Sequence, residues 1–189
     1  MKKLSLLIPL LLLLAACSGP SYMLQKDDKP DIRAVRPVPG KAGLVVARTS
    51  SLGAAIEFDT FLDRKMIGVT KGRGYFVKTD VEPGMHYFIS RAETHEAGKI
   101  LFEPDTMYYI HQKPRMGWWR ARITLVPVTP EFLVEEMNDS CSFLEYDAKN
   151  PGEGLSEQDY KETVIDYERE VTEGMHKEFS DYKGYKFQR

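Results

Sequence analysis

Apolar and polar positions alternate in short runs from Gly43 to about Val128, with a period of two. "AAIEFDTFLD" sets Ile56, Phe58 and Thr60 against Glu57, Asp59 and Phe61. "GYFVKTDV" sets Tyr75, Val77, Thr79 and Val81 against Phe76, Lys78 and Asp80. "GLVVAR", "MIGVT", "MHYFISRA", "KILFE", "MYYIHQK" and "ARITLVPV" continue the series. Successive side chains of a strand point to opposite faces, so this pattern predicts strands with a face in a core. Turn residues punctuate them: Asp63-Arg64-Lys65 as a three-residue turn, "KGRG" at Lys71–Gly74, and "EPG" at Glu82–Gly84, then hairpins closed by Gly98 and by Pro104-Asp105. Pro followed by Gly is the order that a type II turn prefers. The sum predicts a mainly β chain, an antiparallel β-sandwich of about 7–8 strands. Ile56, Phe58, Val77, Phe88 and Ile123 are its expected core.

After Pro130 the period lengthens. "PEFLVEEM" opens a short helix with proline in its first turn, where a missing N–H costs nothing. Asn138 to Gly154 is polar, contains "KNPGEG" and reads as a loop. Ser156 then begins "SEQD", a variant capping box, and Tyr160, Val164, Tyr167 and Val171 recur at spacings of four, three and four. That is one apolar stripe of an amphipathic helix. A stripe of this kind must be buried against something, and the sheet around Tyr109 and Trp119 is the expected surface, an outside partner the other option.

The amino-terminal end follows a different rule. Lys2 and Lys3 precede an apolar run, Leu4 to Ala16, of 13 residues. A bilayer core takes about 20 helical residues to cross, so the run reads as a secretory signal, residues 1–16. "LAAC", Leu14 to Cys17, resembles the lipobox of bacterial lipoproteins. That resemblance implies a diacylglyceryl group on the Cys17 thiol, cleavage before Cys17 and acylation of its new amino group. Ser18 in the following position resembles the signal for export to the outer membrane of Gram-negative bacteria, with the protein facing the periplasm. Two or more acyl chains make attachment to a bilayer stable. Residues 17–42 carry four prolines and a charge cluster and read as a flexible tether. The expected organisation is therefore signal 1–16, acylated tether 17–42, sandwich 43–130 and acidic helical extension 131–189.

Charge and cysteine content narrow the classes of partner. The formal net charge is −2, and −4 once Lys2 and Lys3 leave with the signal. Residues 138–189 hold 13 acidic against 7 basic side chains. No basic stripe suited to nucleic acid is present. Cys141 is the one cysteine left after Cys17 is acylated, which leaves a buried inert thiol or an intermolecular crosslink.

The stretches "EFDTFLDRKMIGVTKGRGYF" and "VEPGMHYF" resemble a family of bacterial lipoprotein domains of unknown function. That family is similar in turn to PEGA-type modules and to transthyretin-like or carboxypeptidase-regulatory-like sandwiches. Gly68 stands in its "IGV" element, and Pro83, Gly84 and His86 stand in its "PGxH" element. Asp63-Arg64-Lys65 departs from the family's usual Asp-Gly-Lys turn. "YYIHQKPRMGWW" resembles its aromatic-rich strands. The resemblance covers less than half of the chain and implies a β-sandwich without an established activity.

Catalytic patterns are missing from the sequence. His86, His95 and His111, with Glu93 and Glu96, match no metal-ligand spacing, and "THEAG" lacks the second histidine of a zincin helix. There is no G-x-S-x-G elbow, and "KGRG" has no helix after it to cradle a phosphate. The expectation is a non-enzymatic chain without cofactor or metal. The remaining candidate surface is aromatic and cationic: Tyr108, Tyr109, Arg115, Trp118, Trp119 and Arg120. Such a surface suits an envelope protein partner or a cell-wall glycan, unless the rings pack the carboxy-terminal helix onto the sheet.

Overall fold

All seven residues of Ala42–Arg48 are buried, because this strand lies in the middle of a sheet that is covered on both faces. The computed structural model describes residues 21–117 and 121–186. In chain order the strands are β1 (Met23–Lys26), β2 (Ala42–Arg48), β3 (Glu57–Leu62), β4 (Lys65–Lys71), β5 (Gly74–Val81), β6 (Gly84–Arg91), β7 (His95–Phe102), β8 (Thr106–Met116) and β9 (Ala121–Pro127). Helix α1 (Pro130–Met137), β10 (Ser142–Tyr146), α2 (Glu157–Thr172), α3 (Lys177–Ser180) and β11 (Tyr185–Lys186) follow. The larger sheet has seven strands in the order β1-β10-β5-β2-β8-β11, with β9 also on β8, and the smaller has four, β4-β3-β6-β7.

The two sheets face each other across one apolar core, to which Leu44, Val46, Phe76 and Tyr108 contribute from the larger and Phe58, Phe88 and Ile100 from the smaller. A second core lies on the other face of the larger sheet. There Val45, Ala47, Tyr75 and Tyr109 are covered by Ile32, by Leu133 and Met137 of α1, and by Cys141. Between the sheets Gln112 donates to Thr60 Oγ1 at 3.0 Å and to Ser90 Oγ at 2.8 Å, and accepts from Thr70 Oγ1 at 2.7 Å. One buried amide thus satisfies three buried hydroxyls of the facing sheet, which fixes how the sheets align.

The mainly β class and the carboxy-terminal helix agree with the sequence reading; the purely antiparallel sheet and the strand count of 7–8 do not. Eleven strands form among the described residues, and β2 pairs with β8, and β10 with β5, in parallel. Short turns impose antiparallel pairing only on the strands they join, and the larger sheet is assembled from strands far apart in sequence. Several connections change sheet rather than close a hairpin. Lys71–Gly74 leads from the smaller sheet to the larger, Glu82–Gly84 leads back, and Pro104-Asp105 crosses again. Gly98 is not in a turn but inside β7, opposite Phe88. The first turn is shorter than expected: Leu62 pairs directly with Lys65, leaving Asp63 and Arg64, with Asp63 at φ 53.

Three boundaries move. The span 17–42 is not wholly a tether, since Met23–Lys26 pairs with Phe143–Tyr146 and Ile32 is buried. Extended chain needs no helix propensity, and the four residues of β1, none of them a proline, find their hydrogen bonds on the edge of β10. The span 138–154 contains β10, so the sandwich is not confined to 43–130 and the extension 131–189 is not wholly helical. Phe58, Phe88 and Ile123 are buried as expected, whereas Ile56 and Val77 are half-buried. Ile56 precedes the first residue of β3, and Val77 packs at the margin of the second core. Phe61 was expected opposite Phe58, yet it too is buried, because a register shift between Thr60 and Phe61 re-aims it.

Candidate functional site

The outer face of the smaller sheet is read rung by rung. Met85, Tyr87 and Ile89 of β6 pair with Leu101, Lys99 and Ala97 of β7, so three two-residue rungs share a face. Helix α2 lies over them. Its start is fixed by Ser156, whose side chain accepts from the Asp159 N–H at 3.0 Å. The innermost rung, Ile89–Ala97, is buried beside Thr163 and Tyr167 of α2. The middle rung holds the helix by polar contacts. The Lys99 N–H donates to Tyr167 Oη at 3.1 Å, Lys99 Nζ donates to Glu168 at 2.7 Å, and Tyr87 Oη donates to the same carboxylate. The Tyr87 ring meets those of Tyr160 and Tyr167 edge-on at 6.2 and 6.0 Å. The Glu168 carboxylate is held below its usual range by Lys99 and then Tyr87, and Lys99 is raised by the same Glu168 contact. Burial raises the Tyr87 phenol.

The third rung is left open. Met85 is 54% and Leu101 45% exposed, side by side at the end of the helix. They floor a cavity of about 380 Å³ whose walls are Tyr167, Val171, Phe179 and Tyr182, with Lys99, Glu168, Glu103 and Lys183 on its rim. The groove offers apolar floor with charges of both signs around it. It suits an apolar side chain carried on a polar backbone.

The far wall is built by the end of the chain. Phe179 of α3 sits against Gly98, where a Cβ would lie 2.5 Å from its ring. Tyr182 Oη accepts from the Tyr109 N–H at 2.7 Å, and its ring stands edge-on to Tyr108 at 5.5 Å. Tyr185 and Lys186 then pair with Met107 and Thr106 of β8. The segment passes from the outer face of the smaller sheet, around edge strand β7, to the edge of the larger sheet, and covers an edge that would otherwise be open.

The residues singled out in the sequence are dispersed. Tyr108 and Tyr109 are 0% exposed and belong to no binding surface. They do point to opposite faces, but both faces of their sheet are covered. Tyr108 Oη donates to Leu101 O at 2.8 Å, and Tyr109 Oη to Ile32 O at 3.0 Å. Arg115 is exposed on β8, opposite Arg122 of β9. Cys17, Trp118, Trp119 and Arg120 lie outside the described residues. The stripe of α2 docks on β6 and β7 rather than around Tyr109; Tyr182 is the residue that reaches Tyr109. His86 links its turn to the neighbouring strand, Nδ1 to Asp63 Oδ2 at 2.7 Å and Nε2 to Glu82 O at 3.0 Å. His95 is exposed at the start of β7. Cys141 lies not in a polar loop but in the second core, 1% exposed, and burial pushes its thiol up. Among the described residues no group of three or more His, Cys, Asp and Glu side chains could hold a metal ion.

Met85 and Leu101 escaped the sequence reading, although a signal existed. "MHYFIS" is apolar on both faces, with Met85, Tyr87 and Ile89 on one and Phe88 on the other, which marks a strand with a second layer above it.

The chain is 27% identical over 126 residues to an uncharacterized protein of Haemophilus influenzae, a match that spans 66% of this chain and 74% of that protein. No family model matches the chain. No solved structure matches it either.

Proposed function

We propose that this chain is a non-catalytic cell-envelope protein, anchored in the outer membrane by lipid on Cys17 and facing the periplasm. Its sandwich, a PEGA-like module in this reading, serves as a protein-interaction or structural element, without cofactor and without nucleic acid as partner. The observation that carries the reading is the bare Met85–Leu101 rung. A cross-strand apolar pair about half exposed, beside a helix that covers the two preceding rungs, is surface that a partner's apolar side chain would fill. The partner is a protein of the same envelope that presents such a side chain.

Two measurements test the halves of this reading separately. Cys17→Ser is expected to abolish incorporation of a fatty-acid probe and to leave the protein uncleaved or released from membranes; label persisting in the variant overturns the anchor. For the groove, a photo-crosslinking residue at Leu101 is expected to give a discrete adduct in intact cells. Met85→Glu should lower that adduct at least fivefold while leaving the melting temperature within about 2 °C, since an exposed substitution changes stability by under about 0.5 kcal/mol. An adduct of unchanged yield sinks the groove as the docking site. An adduct between two copies of this chain makes the partner a second copy.

A further inference from the structure

Ser21 is already fastened to the sandwich. Its N–H donates to Glu57 Oε1 at 3.0 Å, Tyr22 O accepts from the Asp147 N–H at 2.9 Å, and Met23 begins the pairing with Tyr146. Only Ser18, Gly19 and Pro20 separate it from Cys17. A chain spans at most about 3.3–3.6 Å per residue, so Cys17 lies within about 14 Å of Ser21 whatever path it takes. A tether of that length cannot hold the domain off a bilayer. It selects which end of the sandwich meets the lipid.

A loop of distinctive composition lies at that end. Residues 50–55 read Ser-Ser-Leu-Gly-Ala-Ala, without a charge, and run directly into Ile56 and Glu57, the residue that receives the Ser21 N–H. Leu52 is 43% exposed. The loop is held in place by a buried side chain. Arg48, 0% exposed, donates from Nη1 to Ile56 O at 2.7 Å and from Nη2 to Leu52 O at 2.6 Å and Gly53 O at 2.8 Å. Three carbonyls on one guanidinium fix Leu52 close to Ile56, and so to Glu57 and Ser21.

We infer that this end of the sandwich rests on the lipid headgroup layer, with the uncharged Leu52 loop as its contact; the inference rests on Cys17 being the anchor point. One exposed leucine binds a bilayer weakly by itself, but a short tether raises its effective concentration so that weak contact is populated. The groove lies toward the opposite end. From Glu57 along β3 to Leu62, across to Phe88 and on along β6 to Gly84 is nine residue steps, about 30 Å at ~3.4 Å each. The Met85–Leu101 rung therefore lies at the end of the sandwich far from the membrane contact, within reach of a partner in the periplasm.

The test uses the lipidated full chain purified from cells and placed in phosphatidylethanolamine–phosphatidylglycerol vesicles containing a doxyl-lipid quencher. A fluorophore goes on Leu52→Cys in one sample and on Glu82→Cys, beside Gly84, in another. Acylated Cys17 has no free thiol and Cys141 is buried, so each sample carries one label. Quenching of the label at position 52 is expected to exceed that at position 82 at least threefold. Inserting 20 Gly/Ser residues between Pro20 and Ser21 should bring that ratio below twofold. Equal quenching of the two labels, or a ratio indifferent to the insertion, overturns the inference while the anchor stands. A chain that carries no lipid and does not float with vesicles overturns the anchor instead. With the anchor gone the inference falls too, because the short tether is what brings the Leu52 loop to the lipid.

Discussion

A chain ending at Leu155 is expected to melt about 10–20 °C below the full-length protein. The deleted segment contributes three buried or half-buried aromatic side chains. Tyr167 is 4% and Phe179 2% exposed, and Tyr182 packs against the inter-sheet core. Full burial of one large apolar side chain is worth about 1.5–3 kcal/mol, and with Tyr182 only partly buried their joint loss falls toward the low end of the sum, about 5 kcal/mol. In a domain of this size 1 kcal/mol moves the melting temperature by about 2–4 °C. The same deletion uncovers Ile89 and Ala97 on the outer face and strips edge strand β7 of its cover, so the truncated chain should also self-associate. Calorimetry and sedimentation on the soluble domain with and without residues 156–189 measure both. An unchanged melting temperature would mean that the helix is not a packing element at all, and would make it a hook for an outside partner. A Phe179→Ala variant locates the effect: its loss should be a large fraction of the total, because the ring fills the space that Gly98 leaves.

Local order was legible along the chain, and long-range order was not. The strand of Phe58, the strand of Phe88 and the helix after Ser156 all stand where period and capping place them. What alternation cannot reveal is which strands lie side by side. β2 reads as a short β-branched run whether its neighbours are parallel or antiparallel, and its neighbours β5 and β8 are set by contacts across the whole domain. The tether and the loop failed for one reason: prolines and polar residues exclude helix, but they do not exclude an edge strand, and β1 and β10 complete each other. The aromatic site failed for another. Alternation sends Tyr108 and Tyr109 to opposite faces, and exposure of one follows only if a face is bare. The second layer over the larger sheet, Ile32 with α1, is assembled from segments whose docking no local pattern announces. Arg48 was equally hidden. It closes an otherwise apolar run, in a place where an exposed end of the strand would be expected, and is instead wholly buried.

Phe58→Ala is expected to destabilise the domain by about 3–5 kcal/mol, the range for removing a buried aromatic ring. Phe58 is 1% exposed in the inter-sheet core, so little collapse can fill the space. The ring has a second role that raises the cost. The Arg48 guanidinium lies 4.0 Å from its centroid, and burial lowers the arginine's pKa to about 10. Among the described residues no carboxylate pairs with Arg48; three backbone carbonyls and the face of Phe58 are what receive its charge, and its Nε–H has no partner. Removing the ring takes away one of those compensations, and a desolvated cation–π contact is worth about 2 kcal/mol. A double-mutant cycle separates the two roles. Phe58→Leu keeps most of the apolar volume and loses the π-face, and Arg48→Met keeps the stem and loses the charge. The coupling between them, read from urea denaturation, is expected at about 1–2 kcal/mol, since residues in contact do not behave additively. Additive losses would mean that the arginine depends on its carbonyls alone. A Phe58→Ala variant that melts like the parent would mean that the register of β3 is displaced by one residue, with Phe58 on the outer face.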